Sequence, residues 1–174
     1  MTTASSRREV TTSRTWSERL PELGRRGEGW VALQVVLLAA IITVGVLGAG
    51  WPGAGSGWRI AAAGLFAAVG LYLFLGGTTG LGRQLTPFPK PVERGSLKRS
   101  GAYRSVRHPM YGGVLLLTLA WSLLSSPLTL LPWAIAVVFL DAKRRREEAW
   151  LEEQHWEYEE YRQTVRSALV PFVW

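Results

Sequence analysis

The stretch Met110–Leu140, MYGGVLLLTLAWSLLSSPLTLLPWAIAVVFL, decides how this chain is arranged. It runs 31 residues without a charged side chain. A helix rises about 1.5 Å per residue, so a bilayer core about 30 Å thick takes roughly 20 residues. The block is too long for one crossing and short for two. The charges around it settle the matter. Two other charge-free blocks precede it, Trp30 to Ala49 and Ile60 to Leu81. Six arginines come before Trp30, Arg59 alone lies between these two blocks, seven basic residues run from Arg83 to Arg107, and six follow Leu140. If the long block bends at Ser125-Ser126-Pro127 into a hairpin, 19 of the 20 basic residues share one side. If it is one helix, the cluster Lys143 to Arg146 lies outside, against the positive-inside rule. The hairpin is therefore expected, with short arms that reach into the interface or leave the turn shallow. The predicted fold is all-α: a multi-pass membrane protein of about four transmembrane helices, both termini cytoplasmic, with a cytoplasmic C-terminal amphipathic helix.

Composition agrees once it is read locally. Hydrophobic residues make up 48% and charged residues 19% of 174, but the two classes are segregated, as in membrane proteins. The chain has no cysteine, which removes disulfides, thiolate catalysis and cysteine-held metal. A net charge of +7 would suggest nucleic acid in a soluble chain. Here the basic residues flank apolar blocks, so anionic headgroups and orientation account for them, and no nucleic-acid partner is expected. Residues 1–29, rich in Ser, Thr and Arg, read as a disordered basic cytoplasmic arm. Residues 30–81 read as two transmembrane helices, and 82–174 as a region carrying the chemistry. The glycines of Gly48-Ala49-Gly50-Trp51-Pro52-Gly53 match a dinucleotide fingerprint in form only, because that motif needs a strand before it and a helix after it.

Three further segments stand out. In Leu85-Thr86-Pro87-Phe88-Pro89-Lys90-Pro91, prolines at alternate positions favour a stiff, extended connector. In Gly101-Ala102-Tyr103-Arg104-Ser105-Val106-Arg107-His108-Pro109-Met110-Tyr111-Gly112, Pro109 suits the first turn of a helix, and Tyr103, Arg107 and Tyr111 suit the membrane interface. The same corner offers free helix N–H donors among a His, an Arg and two Tyr, which suits a ligand with carboxylate and aromatic parts. Last, Lys143-Arg144-Arg145-Arg146 is followed by Glu147-Glu148, Leu151 and Tyr158-Glu159-Glu160-Tyr161. On local physics this is a basic anchor with carboxylates pairing one turn on.

Together these segments resemble the isoprenylcysteine carboxyl methyltransferase-like family, with its phospholipid methyltransferase relatives. The matching elements are LTPxPxP at Leu85 to Pro91, GxYxxxRHPxYxG at Gly101 to Gly112, a hydrophobic hairpin, KxxxEExxL at Lys143 to Leu151 and YxxY at Tyr158 to Tyr161. Val170-Pro171-Phe172 looks like the short apolar tail of such proteins. The resemblance covers residues 60 to 174. It implies S-adenosylmethionine bound at the cytoplasmic face and a lipophilic acceptor arriving from the bilayer. Carried over, Tyr103, His108, Pro109 and Tyr111 line the cofactor, Leu97 gives backbone contacts, and Glu147 and Glu148 close the pocket. Arg107 is placed to meet the cofactor's carboxylate. Lys143, standing where the eukaryotic enzymes have a basic residue, places the acceptor's carboxylate. The usual FG pair before the tyrosines is replaced near His155-Trp156, and the spacing from Glu147 to Tyr158 is one residue short.

The implied chemistry needs little acid or base. Methyl transfer from a sulfonium is an in-line displacement, and alignment supplies about 7–11 kcal/mol. A carboxylate acceptor is already ionised, whereas an amine has to lose a proton, for which His108 or a Glu is available. The expected reaction is carboxyl O-methylation of an isoprenylcysteine-like or other lipophilic acid, in a pocket built on Gly112, Gly113 and Val114 to Leu119. The alternatives are N-methylation of a phospholipid amine, a nicotinamide-dependent sterol or enone reductase, and a non-catalytic membrane module. The reductases typically carry Asn after the Pro and an acidic residue soon after the Tyr. Met110 and Gly112-Gly113 stand there instead.

Overall fold

The computed structural model describes residues 20–53, 56–92 and 95–172. The basic arm of residues 1–19 lies outside the described residues. All regular structure among the described residues is helical. Helix α1 spans Glu28–Leu47, α2 Gly57–Leu81, α3 Pro109–Leu124, α4 Leu130–Gln154 and α5 Tyr158–Thr164. Short 3-10 turns lie at Gly82–Gln84, Gly101–Arg104 and Pro127–Thr129.

Each boundary has a local cause. Gly27 enters α1 at φ 79°, and a Cβ there would lie 2.6 Å from the Pro89 ring, so both conformation and space call for glycine. The Gly48–Gly53 glycines form the turn between α1 and α2, with a helix rather than a strand before them, so the dinucleotide pattern lacks the strand that it requires. Pro109 occupies the first turn of α3, where its missing N–H costs nothing. The bend expected at Ser125-Ser126-Pro127 is where α3 stops. There Ser126 Oγ accepts from the Leu128 N–H at 3.3 Å and donates to the Ala49 carbonyl at 2.6 Å, tying the hairpin to the end of α1.

The hairpin packs between the first two helices. Helix α2 lies along α3, and α1 lies against α4. The α2–α3 contact is close to backbone-on-backbone: a Cβ on Gly113 would lie 2.7 Å from the Gly70 carbonyl, and one on Gly77 would lie 2.6 Å from the Met110 side chain. Small residues let membrane helices approach this way. Of the small residues along α2, Ala63 and Gly70 are buried, whereas Gly64 and Ala68 face outward.

Helices α1 and α2 are long and apolar enough to cross a membrane. Their apolar side chains are largely exposed, Val36, Val46, Leu47, Leu65 and Tyr72 among them. Such a continuous outward apolar surface is what lipid requires and water does not tolerate. Helix α3 is apolar but has 16 residues. Helix α4 is apolar as far as Leu140 and then carries the basic and acidic cluster. The chain is a helical membrane protein. The tail does less as a helix than expected. Helix α5 has seven residues, and beyond it the chain returns as coil over the start of α3. The Arg107 and His108 N–H groups donate to the Ser167 and Ala168 carbonyls at 3.0 and 2.8 Å. Leu169 is fully buried against Ile41, Leu115 and Leu140. The apolar anchor of the tail is thus Leu169, and Phe172 is exposed.

Candidate functional site

The start of α3, the second half of α4, the proline-rich connector and α5 enclose a cavity of about 380 Å³, within the range of small-molecule sites. Seven of the nine residues singled out from the sequence line it: Leu97, Tyr103, Arg107, His108, Tyr111, Lys143 and Glu147. Pro109 and Glu148 do not. Pro109 is buried beside Gly77 and fixes where α3 begins.

Glu147 and Glu148 have different surroundings. Adjacent helical residues point about 100° apart, so only one can face the cavity. Glu147 does. It accepts from the Tyr111 hydroxyl at 2.5 Å, and its carboxylate lies 3.9 Å from His108 Nδ1. Glu148 faces the tail and is 6% exposed. It accepts from Arg107 Nε at 2.9 Å, from Arg144 Nη1 at 3.2 Å and from His108 Nε2 at 3.1 Å. Burial alone would raise this carboxyl's pKa. The hydrogen bond to His108 and the charges of His108, Arg107 and Arg144 outweigh burial and hold it well below the usual carboxylate range. Arg107 Nη1 also donates to the Val165 and Arg166 carbonyls, both at 2.7 Å, and Arg144 pairs with Asp141. Expected as a cofactor contact, Glu148 is instead the centre of a buried cluster joining α3, α4 and the tail.

The aromatic wall follows from this cluster. With Nε2 held by Glu148, the His108 ring stacks on Tyr111, ring centres 5.5 Å apart and planes 8° from parallel. Lys143 Nζ sits 4.9 Å from the Tyr111 ring centre. Tyr103 is buried beside α2, its hydroxyl 3.4 Å from the Gly77 carbonyl, and burial raises its phenol. Tyr161 donates to the Tyr103 carbonyl at 2.7 Å. Burial, with the Glu148 charge adding and the Arg107 charge opposing, pushes its phenol up to about 12. The Tyr158 hydroxyl is buried at the cavity wall without a hydrogen-bond partner among the described residues. A buried unpaired hydroxyl costs free energy unless something meets it.

Two corrections concern the expected acceptor pocket. Gly112 and Gly113 do not line the cavity. Gly112 lies beneath the Leu169 carbonyl and Gly113 against α2, so both are consumed by packing. Of Val114 to Leu119 only Val114 reaches the cavity, with Met110 beside it. Not anticipated from the sequence were Val31 and Gln34 of α1, which reads as a plain span, and His155, Tyr158 and Tyr161 as lining residues. Gln34 carried a signal: a strongly polar side chain inside an apolar membrane helix is costly and points to a site.

A protein-family model described as phospholipid methyltransferase matches residues 58–157, more than half of the chain, from α2 to the approach to α5. Helix α1 lies outside the match. No curated protein matches the chain.

Proposed function

The chain belongs to the phospholipid methyltransferase family, a group of membrane methyltransferases, and we propose that it uses S-adenosylmethionine to methylate the carboxylate of a lipophilic acid. The observation that carries this reading is the convergence of the RHPMY segment, Lys143 and Glu147 on one cavity. The lining of that cavity includes both polar residues, among them Gln84, Ser96 and Lys98, and the apolar side chains of Met110, Val114, Phe74 and Val31. Such a site serves a water-soluble donor and an apolar acceptor together.

The residues present fit the donor. The unpaired Tyr158 hydroxyl, the Glu147 carboxylate and the rings of Tyr103, His108 and Tyr111 offer hydrogen bonds, negative charge and π faces to a zwitterionic sulfonium. When bound, the donor supplies an activated methyl group. Glu147 would take its ammonium or ribose hydroxyls, Arg107 its carboxylate, and Leu97 backbone contacts. Pro109 and Glu148 hold the wall in place, Glu148 through the His108 ring. Lys143 would draw in an acceptor carboxylate, which is already ionised and needs no base. A second reading, N-methylation of a phospholipid amine, is supported by the matched family and by the Glu147 carboxylate in the cavity lining. The experiment that tests the function is transfer of a labelled methyl group from S-adenosylmethionine into lipid extract by the purified protein. Esters release the label as methanol in mild base, so base-stable label would favour N-methylation instead.

We infer further that the α3–α4 hairpin enters the bilayer beside α1 and α2, giving four spans with both termini cytoplasmic. The distribution of basic residues supports this. The expected partners are the bilayer and the lipophilic acceptor. A cysteine placed at Gly53 should react with an impermeant reagent outside intact cells, and cysteines near either terminus should not. A reactive C-terminus would rule out the four-span arrangement.

A further inference from the structure

Helix α1 has little polar chemistry. From Trp30 to Leu47 it has no charged residue, and Gln34 is its only carboxamide. Its outward side chains are mostly apolar. Gln34 nevertheless turns inward and lines the cavity, one turn beyond Val31. There its Oε1 accepts from Lys143 Nζ at 2.5 Å.

Lys143 is 3% exposed, and no carboxylate lies within 4 Å of its ammonium among the described residues. Burial lowers its pKa and the more distant Glu147 charge raises it. A buried ammonium has three donors to satisfy. Among the described residues this one hydrogen-bonds only to the Gln34 amide and lies over the Tyr111 ring. Accepting from Lys143 fixes the amide plane of Gln34. The amide NH₂ has no protein partner among the described residues. Two kinds of donor, one cationic and one neutral, are thus held together at the cavity wall. Beside them are Val31, Met110 and Val114.

We propose that Gln34 of α1 and Lys143 of α4 together form a receptor for the anionic headgroup of the acceptor, with Gln34 both orienting the ammonium and donating an N–H to the anion. The inference rests on reading the cavity as a methyltransferase site and deepens it. A carboxylate and a phosphate present the same chemistry to this pair, an oxyanion on an apolar chain. The matched family region begins at residue 58, so this half of the receptor comes from the part of the chain outside it.

The test compares Gln34→Glu with Gln34→Leu in the purified full chain. Gln34→Glu keeps the size and strengthens the link to Lys143, so a merely structural residue would tolerate it. In an anion receptor it cancels the ammonium and repels the ligand. The probes are farnesylthioacetic acid, its neutral methyl ester and dodecyl phosphate, each measured by equilibrium binding. Wild type should favour the acid over the ester. Gln34→Glu should weaken acid binding by about tenfold or more while leaving the ester unchanged, as expected when a charged ligand loses its partner. Gln34→Leu should weaken the acid less. A loss with dodecyl phosphate exceeding that with the acid would assign the receptor to a phosphate headgroup; a larger loss with the acid assigns it to a carboxylate. Equal binding of acid and ester by wild type overturns the proposal, as does unchanged acid binding in Gln34→Glu. S-adenosylhomocysteine affinity, measured alongside, should not differ between the variants. If wild type fails to bind it at all, the methyltransferase reading has failed instead.

Discussion

Glu148→Ala is expected to destabilise the protein by about 3–5 kcal/mol, the cost of removing one member of a buried ionic cluster and leaving its partners uncompensated. Arg107, Arg144 and His108 all direct protons at this carboxylate, and all three are buried. Glu148→Gln keeps the shape and should cost nearly as much, because it leaves the buried Arg107 guanidinium without a carboxylate, Arg144 keeping only Asp141. Glu147→Ala is the comparison. Its side chain is 23% exposed and has Tyr111 as its hydrogen-bonding partner, so the fold should lose little and the donor site much. Thermal unfolding in detergent, followed by tryptophan fluorescence, separates the two. Equal midpoints for the Glu148 and Glu147 variants would show that Glu148 is not structural. The same carboxylate sets an acid limit. Its folded pKa is depressed, so its contribution is complete above the unfolded value of about 4.3 and is lost as pH falls through the lower folded value. Between pH 7 and 5 this group should leave stability unchanged, and the loss should begin below about pH 4.3.

Gly112→Ala should be nearly as damaging, for a steric reason. The added Cβ would lie 1.7 Å from the Leu169 carbonyl oxygen. The obstacle is backbone, so no rotamer change relieves it. Either α3 shifts or the tail lifts, and lifting breaks the N–H bonds from Arg107 and His108 to Ser167 and Ala168. Overpacking costs about 1–3 kcal/mol, and each buried hydrogen bond lost adds about 1 kcal/mol. Hydrogen exchange should speed up at residues 107–108 and 165–169 in this variant. Gly64→Ala, whose added methyl meets nothing within 4 Å, should behave as wild type. Equal stability of the two alanine variants would show that the tail does not seat on Gly112.

These two positions also show what the sequence could and could not reveal. The hairpin was legible because Ser125-Ser126-Pro127 interrupts a charge-free run too long for one crossing. The RHPMY segment and Lys143 were legible as motif residues, and they do meet at one cavity. The division of labour between Glu147 and Glu148 was not, because two adjacent carboxylates look alike until helix phase points one at the cavity and the other at Arg107. Gly112 and Gly113 read as the base of an acceptor pocket, but other parts of the chain pack against them. The approaching groups are the tail and α2, which lie far from them in sequence. Arg107 is similarly double. It lines the cavity as expected, but Nε and Nη1 are engaged by Glu148 and the tail carbonyls, so much of its charge is spent on structure. Gln34 is easily passed over because an apolar run that long is read as a span before its single amide is considered.

The measurement that bears most directly on the proposed activity is methyl transfer itself, with purified protein in vesicles supplied with methyl-labelled S-adenosylmethionine and a lipid extract. The expected result is label in the organic phase, suppression by S-adenosylhomocysteine, loss of transfer in Glu147→Gln, and release of the label as methanol in mild base. No transfer and no homocysteine binding, with a reduced nicotinamide bound in the same cavity, would contradict the methyltransferase assignment of this site.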